Sequence, residues 1–265
     1  MLYLCRSMTY KSIISPKMRA VSTYMVESFV GMNHCLTETG KNIILEVPKS
    51  DCEEVRKALK ARFSDVALIK NAYPLIEDLH DFILIKPIIS ESPLLHEDGI
   101  AVPELEKVLV DRSSDKEFAF LSDDAIQREF QRAFEIYQIN TSRLMRYAAR
   151  KGKKEEILNR LDRINLQRVN TVHAIQELFI SEPIERAWLF GSFARMEEKA
   201  DSDIDILVDL DKTVSIGLFQ FAGMINTLED KLNKRVDMVA NGTVKPFALN
   251  SINRDKILFY ERPRA

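Results

Sequence analysis

The chain has 265 residues, 46% hydrophobic and 29% charged, with a formal net charge of −2. Those fractions belong to a globular protein, the near-balance of charge gives no global field toward nucleic acid or an anionic membrane, and no apolar run reaches the roughly 18 residues of a spanning helix. Two domains are expected at about 100–200 residues each; the three cysteines Cys5, Cys35 and Cys52 lack metal-ligand spacing, and Arg6 interrupts the apolar start too soon for a secretory signal, so a reduced cytoplasmic location without structural zinc is expected.

Lys41 to Val47 reads as a strand, and Ser50-Asp51-Cys52-Glu53 has the spacing of a capping box opening a helix through about Arg62. Val66 to Lys70 and Phe82 to Ile89 read as further strands. Pro103 through Leu109 has helical spacing with Pro103 in the first turn, and Glu104, Glu106 and Asp111 read as that helix's polar face. Ser122-Asp123-Asp124 starts a helix with Ile126, Phe130, Phe134 and Tyr137 along one face. Thr141 to Lys151 and Lys154 to about Leu166 continue the helical character. Residues 1–168 therefore read as a mixed α/β domain, a small sheet followed by a helical block, and 169–265 as a second domain in an α+β protein.

The cations of Arg143 to Arg168 (Arg143, Arg146, Arg150, Lys151, Lys153, Lys154, Arg160, Arg163 and Arg168) outnumber Glu155, Glu156 and Asp162. Such a strip either tracks the phosphates of an RNA acceptor or is a solvated helix face, the commoner case. His34, His80, His96 and His173 share no motif, and Trp188 reads as core.

Leu189 and Phe190 end an apolar strand at the turn Gly191-Ser192. A second strand begins at Asp203-Ile204-Asp205 and runs through Val208, a helix with Met224, Ile225, Leu228 and Leu232 follows, and Asp237 lies in Arg235-Val236-Asp237-Met238-Val239. Residues two apart on a strand share a face, so Asp203 and Asp205 are expected to project together. Like charges held that close raise one pKa or demand a cation, and Mg²⁺, which takes oxygen ligands and keeps substrate phosphates in its shell, meets the demand.

Gly191-Ser192-Phe193-Ala194-Arg195, Ser202-Asp203-Ile204-Asp205-Ile206-Leu207-Val208 and Val236-Asp237-Met238-Val239 together resemble the signature of the DNA polymerase beta superfamily, in its minimal nucleotidyltransferase branch. The resemblance runs from about Thr171 to Glu261 and departs at Met196, where the family usually has glycine. It implies a nucleotidyltransferase fold, a small mixed sheet with helices packed on it. It further implies a nucleoside triphosphate substrate, with ATP the expected one, cradled by Gly191, Ser192 and Arg195, and two Mg²⁺ ions held by the catalytic residues Asp203, Asp205 and Asp237. A nucleoside monophosphate would pass to a hydroxyl of a protein, an RNA end or a small molecule.

The earlier stretch, including Val102-Pro103-Glu104-Leu105-Glu106-Lys107-Val108-Leu109-Val110-Asp111, looks like bacterial proteins akin to the abortive-infection antitoxin of type IV toxin–antitoxin systems, with too few preceding residues for their winged helix. This implies a toxin–antitoxin or phage-defence setting with a toxin or antitoxin protein as partner; in the minimal nucleotidyltransferase branch that partner is commonly a small helical ribonuclease toxin. Two other readings stand beside it: an antitoxin-like binding module with a vestigial site, and a toxin that adds nucleotides to transfer RNA.

Overall fold

The computed structural model describes residues 16–29, 32–38, 42–72, 81–97, 100–199 and 201–263. Cys5 and His80 lie outside them. Two compact units divide the chain: Tyr10–Ala133 with Ile139–Ile164, and Phe134–Gln138 with Asn165 onward.

The first unit opens with helix α1 (Pro16–Ser28), strands β1 (Cys35–Glu38) and β2 (Ile43–Val47), helix α2 (Cys52–Lys60), strand β3 (Val66–Leu68), the single turn α3 (Ile69–Ala72) and strand β4 (Ile83–Pro87). The sheet order is β1-β2-β4-β3; β1 is antiparallel to β2, while β2 and β3 flank β4 in parallel. β2 is buried along its whole length, as expected of a strand covered on both faces. Leu45, Ile83 and Ile85 meet Val55 and Leu59 of α2 on one side, and Ile44 and Leu84 meet Phe118 on the other.

A hairpin of β5 (Leu94–Glu97) and β6 (Ile100–Pro103) precedes helix α4 (Leu105–Ser114), so Pro103 closes a strand and does not open the helix. The expected capping box does not form either: Asp51, not Ser50, caps α2, and its side chain makes no cap hydrogen bond. The helical block then runs through α5 (Asp123–Ile136), α6 (Thr141–Arg150) and α7 (Lys154–Leu161). α7 stops at Leu161, and Asn165 caps a separate helix, α8 (Leu166–Phe179), by accepting from the Arg168 amide.

The charged residues of α4 correct the sequence reading, because Glu104, Glu106 and Asp111 are buried and do not form a solvated polar face. Lys107 Nζ stands 2.5 Å from Glu46 and also pairs with Asp111; Lys86 pairs with Asp115 and Glu117 at 2.7 Å each; Lys151 reaches Asp111 at 2.7 Å, and Tyr147 donates to Asp111 at 2.9 Å. Although burial presses the lysines downward, Glu46 and the neighbouring aspartates hold Lys86 and Lys107 above the ordinary lysine range.

The second unit is a four-stranded sheet in the order β10-β7-β8-β9: β7 (Ile184–Phe190), β8 (Ile204–Leu210), β9 (Val236–Ala240) and β10 (Ile257–Glu261). β7 is antiparallel to β8 and β10, while β8 and β9 are parallel, joined by helix α10 (Leu218–Leu232). Ala187, Leu189, Ile204, Ile206, Val208, Val236 and Met238 point to one face, where Val172, Ile175 and Phe179 of α8 and Met224 and Leu228 of α10 bury them. Gln176 donates to the carbonyls of Ile136 (3.0 Å) and Phe259 (2.7 Å), drawing the end of α5 into this unit. The fold is thus α+β, with small mixed sheets and helices packed on them.

Candidate active site

The residues singled out by spacing meet at one end of the second sheet, on the face opposite its core. β7 gives way after Phe190 to the five-residue helix α9 (Gly191–Arg195). In the strand register Phe190 lies opposite Asp205 and Asp205 opposite Asp237, so both carboxylates stand in one cross-strand row. Asp203 precedes the first residue of β8 and is exposed, so it joins the group from the loop and not from the strand itself.

Gly191 has φ +68°, and a Cβ placed there would lie 2.9 Å from Asp205 Cγ. Only glycine allows both the left-handed turn and this approach. Ser192 sits half-buried beside it in the first turn of α9. Met196 closes α9 with φ 60° and ψ 37°, the left-handed cap that explains the family's glycine there.

Burial first, then the charges of Asp237 and Asp203, push Asp205 up to about 6; Arg195 pulls the other way. Arg195 is exposed and pairs with Glu197 at 2.7 Å and with Asp255, at the end of helix α11 (Pro246–Asp255). Sequence reading missed Asp255, and no local pattern marks it: only the fold brings it 60 positions along the chain to Arg195. Among the described residues, no group of three His, Cys, Asp or Glu side chains is placed to hold a metal ion by itself.

Most of the basic stretch is engaged in ion pairs within the protein, several of them at its surface. Arg143 pairs with Glu104, Arg150 with Glu91, Lys151 with Asp111 and Asp115, Lys153 with Glu156, Arg160 and Arg163 with Asp123, and Arg168 with Glu135 and Glu198. Arg160 and Arg168 are buried. Trp188, read as core, is half-buried, with Arg186 and Lys256 at 5.3 Å and 5.5 Å from its ring centroid.

Residues 173–265 match the family described as Polymerase beta, Nucleotidyltransferase. A Methanocaldococcus jannaschii protein named as a protein adenylyltransferase, MJ1217, is 39% identical over 70 residues, which are 26% of this chain and 69% of that protein. The chain belongs to the polymerase beta nucleotidyltransferase family. Protein adenylyltransferase MntA of Thermococcus cleftensis is a further relative, 38% identical over 26% of this chain and 68% of its own length. A solved structure described as a minimal nucleotidyltransferase is 31% identical with a TM-score of 0.30, covering 34% of this chain and 89% of that one. A toxin–antitoxin crystal structure with AMP-PNP is 17% identical, also at 0.30, covering 35% and 72%. Residues 2–167 match a family of unknown function, DUF6577, to which the chain also belongs; that match does not carry the antitoxin resemblance expected for the stretch. As a member of the polymerase beta nucleotidyltransferase family the chain is a nucleotidyltransferase. No helix among the described residues is long and apolar enough to cross a membrane.

Proposed function

We propose that the chain transfers an adenylyl group from ATP to a hydroxyl of a protein partner, with residues 169–265 as the catalytic domain and 1–168 as the domain that selects the partner. The observation that carries this reading is the opposed pair Asp205 and Asp237 beside the left-handed Gly191 turn. The relatives' name, protein adenylyltransferase, supports the choice of group and acceptor class. A toxin–antitoxin setting in the cytoplasm completes the proposal.

The chemistry of the donor set suits Mg²⁺: it is all oxygen, and its crowded negative charge holds the Asp205 proton. Asp203, Asp205 and Asp237 would hold the ions, which supply charge neutralisation on the phosphates and a lowered pKa at the attacking hydroxyl. The backbone of Gly191 and the hydroxyl of Ser192 bind the triphosphate, and Arg195, steered by Asp255, adds positive charge at its edge. The acceptor oxygen forms its bond to the α-phosphorus as the bond to the bridging oxygen breaks and pyrophosphate leaves. Asp237, on the strand beside Asp205, takes the hydroxyl proton. Most of the rate arises from alignment and fixed charge.

An RNA acceptor draws little support from the basic stretch, whose cations are mostly paired internally. The test is incubation of the protein and Asp205→Asn with each α-³²P-labelled nucleoside triphosphate, Mg²⁺, cellular RNA and lysate of the source cells. Label from ATP on a protein band, absent with the variant, is the expected result. Label on RNA, or none with any nucleotide, would overturn the proposal.

A further inference from the structure

We infer that Arg168 is a positioning residue of the transferase, holding from behind the turn on which the triphosphate rests; this depends on the proposed phosphate role of Gly191 and Ser192. α9 has five residues, too few to be stable by its own hydrogen bonds, and it begins at one left-handed residue, Gly191, and is capped by another, Met196. Its shape must be imposed by something outside it.

Besides the core around Phe193 and Ala194 and the Arg195–Asp255 pair, one guanidinium supplies several of the contacts that do so. Arg168, on the first turn of α8, donates from Nη2 to the Phe193 carbonyl at 2.9 Å, and its guanidinium carbon lies 4.0 Å from the centroid of the Phe193 ring. Nη1 pairs with Glu198, on the segment between α9 and β8, and Nε donates to Glu135 at 2.6 Å. One side chain thus fastens the middle of α9 and the chain just beyond it. The hold lies between Ser192 and Asp203, so it fixes the cradle relative to the carboxylates. Burial presses the guanidinium's pKa down, but Glu135 and Glu198 keep it above its ordinary value, and the fork stays charged.

Glu135 is contributed by the last turn of α5, within the stretch 2–167 that matches the family of unknown function. The transferase unit is therefore braced by a residue from outside the polymerase beta match, which begins at residue 173. A lysine would keep the charge, yet it lacks the planar fork that serves the Phe193 carbonyl and both carboxylates together.

The test uses the full chain as wild type, Arg168→Lys and Glu198→Gln, the second removing one partner while the buried arginine keeps Glu135. Thermal melting and circular dichroism monitor the fold; calorimetry with ATP and Mg²⁺, and KM against kcat for transfer, monitor the cradle. The expected result is native spectra with ATP affinity at least about tenfold weaker and KM raised more than kcat is lowered. If Arg168→Lys fails to fold, Glu198→Gln decides alone. Folded variants that melt earlier but bind ATP as the wild type does would overturn the inference and leave Arg168 purely structural. Wild-type protein that binds no ATP would overturn the proposed function, and this inference with it.

Discussion

Around Lys107 the first unit buries Glu46, Asp111 and Glu117 and draws in the partly buried Asp115, Lys86 and Lys151, whereas around Asp205 the second unit gathers Asp203 and Asp237, opposed by Arg195, which is shared with Glu197 and Asp255. Both groups lie beside sheet strands, but the first takes Glu46 and Asp111 out of bulk water, whereas in the second Asp205 is half-buried and Asp203 and Asp237 are exposed. In the first, each acid has a lysine within ion-pair reach, with Lys86, Lys107 and Lys151 shared among Glu46, Asp111, Asp115 and Glu117, and the cluster is an internal brace joining β2, β4, α4 and the C-cap of α6. In the second, like charges face outward at a sheet end and one carboxyl retains its proton to near-neutral pH. Charge paired in the interior makes structure; charge crowded at a sheet edge is left open to pairing from outside.

The comparison breaks most visibly at Lys107. Lys107→Met should destabilise the first unit by about 3–5 kcal/mol, since Glu46 and Asp111 lose a buried partner. Urea unfolding checks this, and a cost under about 1 kcal/mol would mean the cluster is not a brace. Gly191→Ala should cost about 1–3 kcal/mol from left-handed strain and crowding against Asp205, and should depress transfer because the carboxylate must turn away. Wild-type activity in that variant would exclude a close approach between turn and carboxylate.

At Asp205 the sign reverses. Its carboxyl holds a proton more tightly folded than unfolded, so its contribution favours folding at low pH and is lost as pH rises through about 6. Without divalent ions, Asp205→Asn should therefore stabilise the fold at pH 8 by about 1–2 kcal/mol, allowing for solvent screening of a half-buried group, while abolishing transfer. The gain should vanish near pH 4, which guanidinium unfolding at the two pH values measures; an equal gain at both would refute the repulsion. Smallest is Met196→Gly, worth about 0.5–1 kcal/mol of stability by removing side-chain strain from the α9 cap, read as a rise in Tm with activity retained.

The fold of the second unit was legible because its signals are local. A strand ending at Phe190, a glycine that must turn, aspartates flanking Ile204 and an apolar helix with Met224 and Leu228 inward each occupy a short window. Helix α8 was legible in principle, through Asn165 as cap and Val172, Ile175 and Phe179 at helical spacing, but the basic stretch masked its start. The ion pairs were not legible. Arg168 meets Glu135 across 33 positions, and the charges of α4 carry the composition of a solvated face until β2 and β4 supply Glu46 and Lys86. Periodicity reports which residues share a face, and only tertiary packing decides whether water reaches it.

Trp188 is the chain's only tryptophan, and it lies two residues before Phe190, on the sheet face that carries Asp205 and Asp237. The cations of Arg186 and Lys256 both lie close to its indole ring. The molecule therefore contains a single indole, which can be excited selectively over its tyrosines, one row from its acidic end and beside two positive neighbours. Titrating unlabelled protein with ions or nucleotides in an ordinary fluorimeter can follow events at that end without adding a dye.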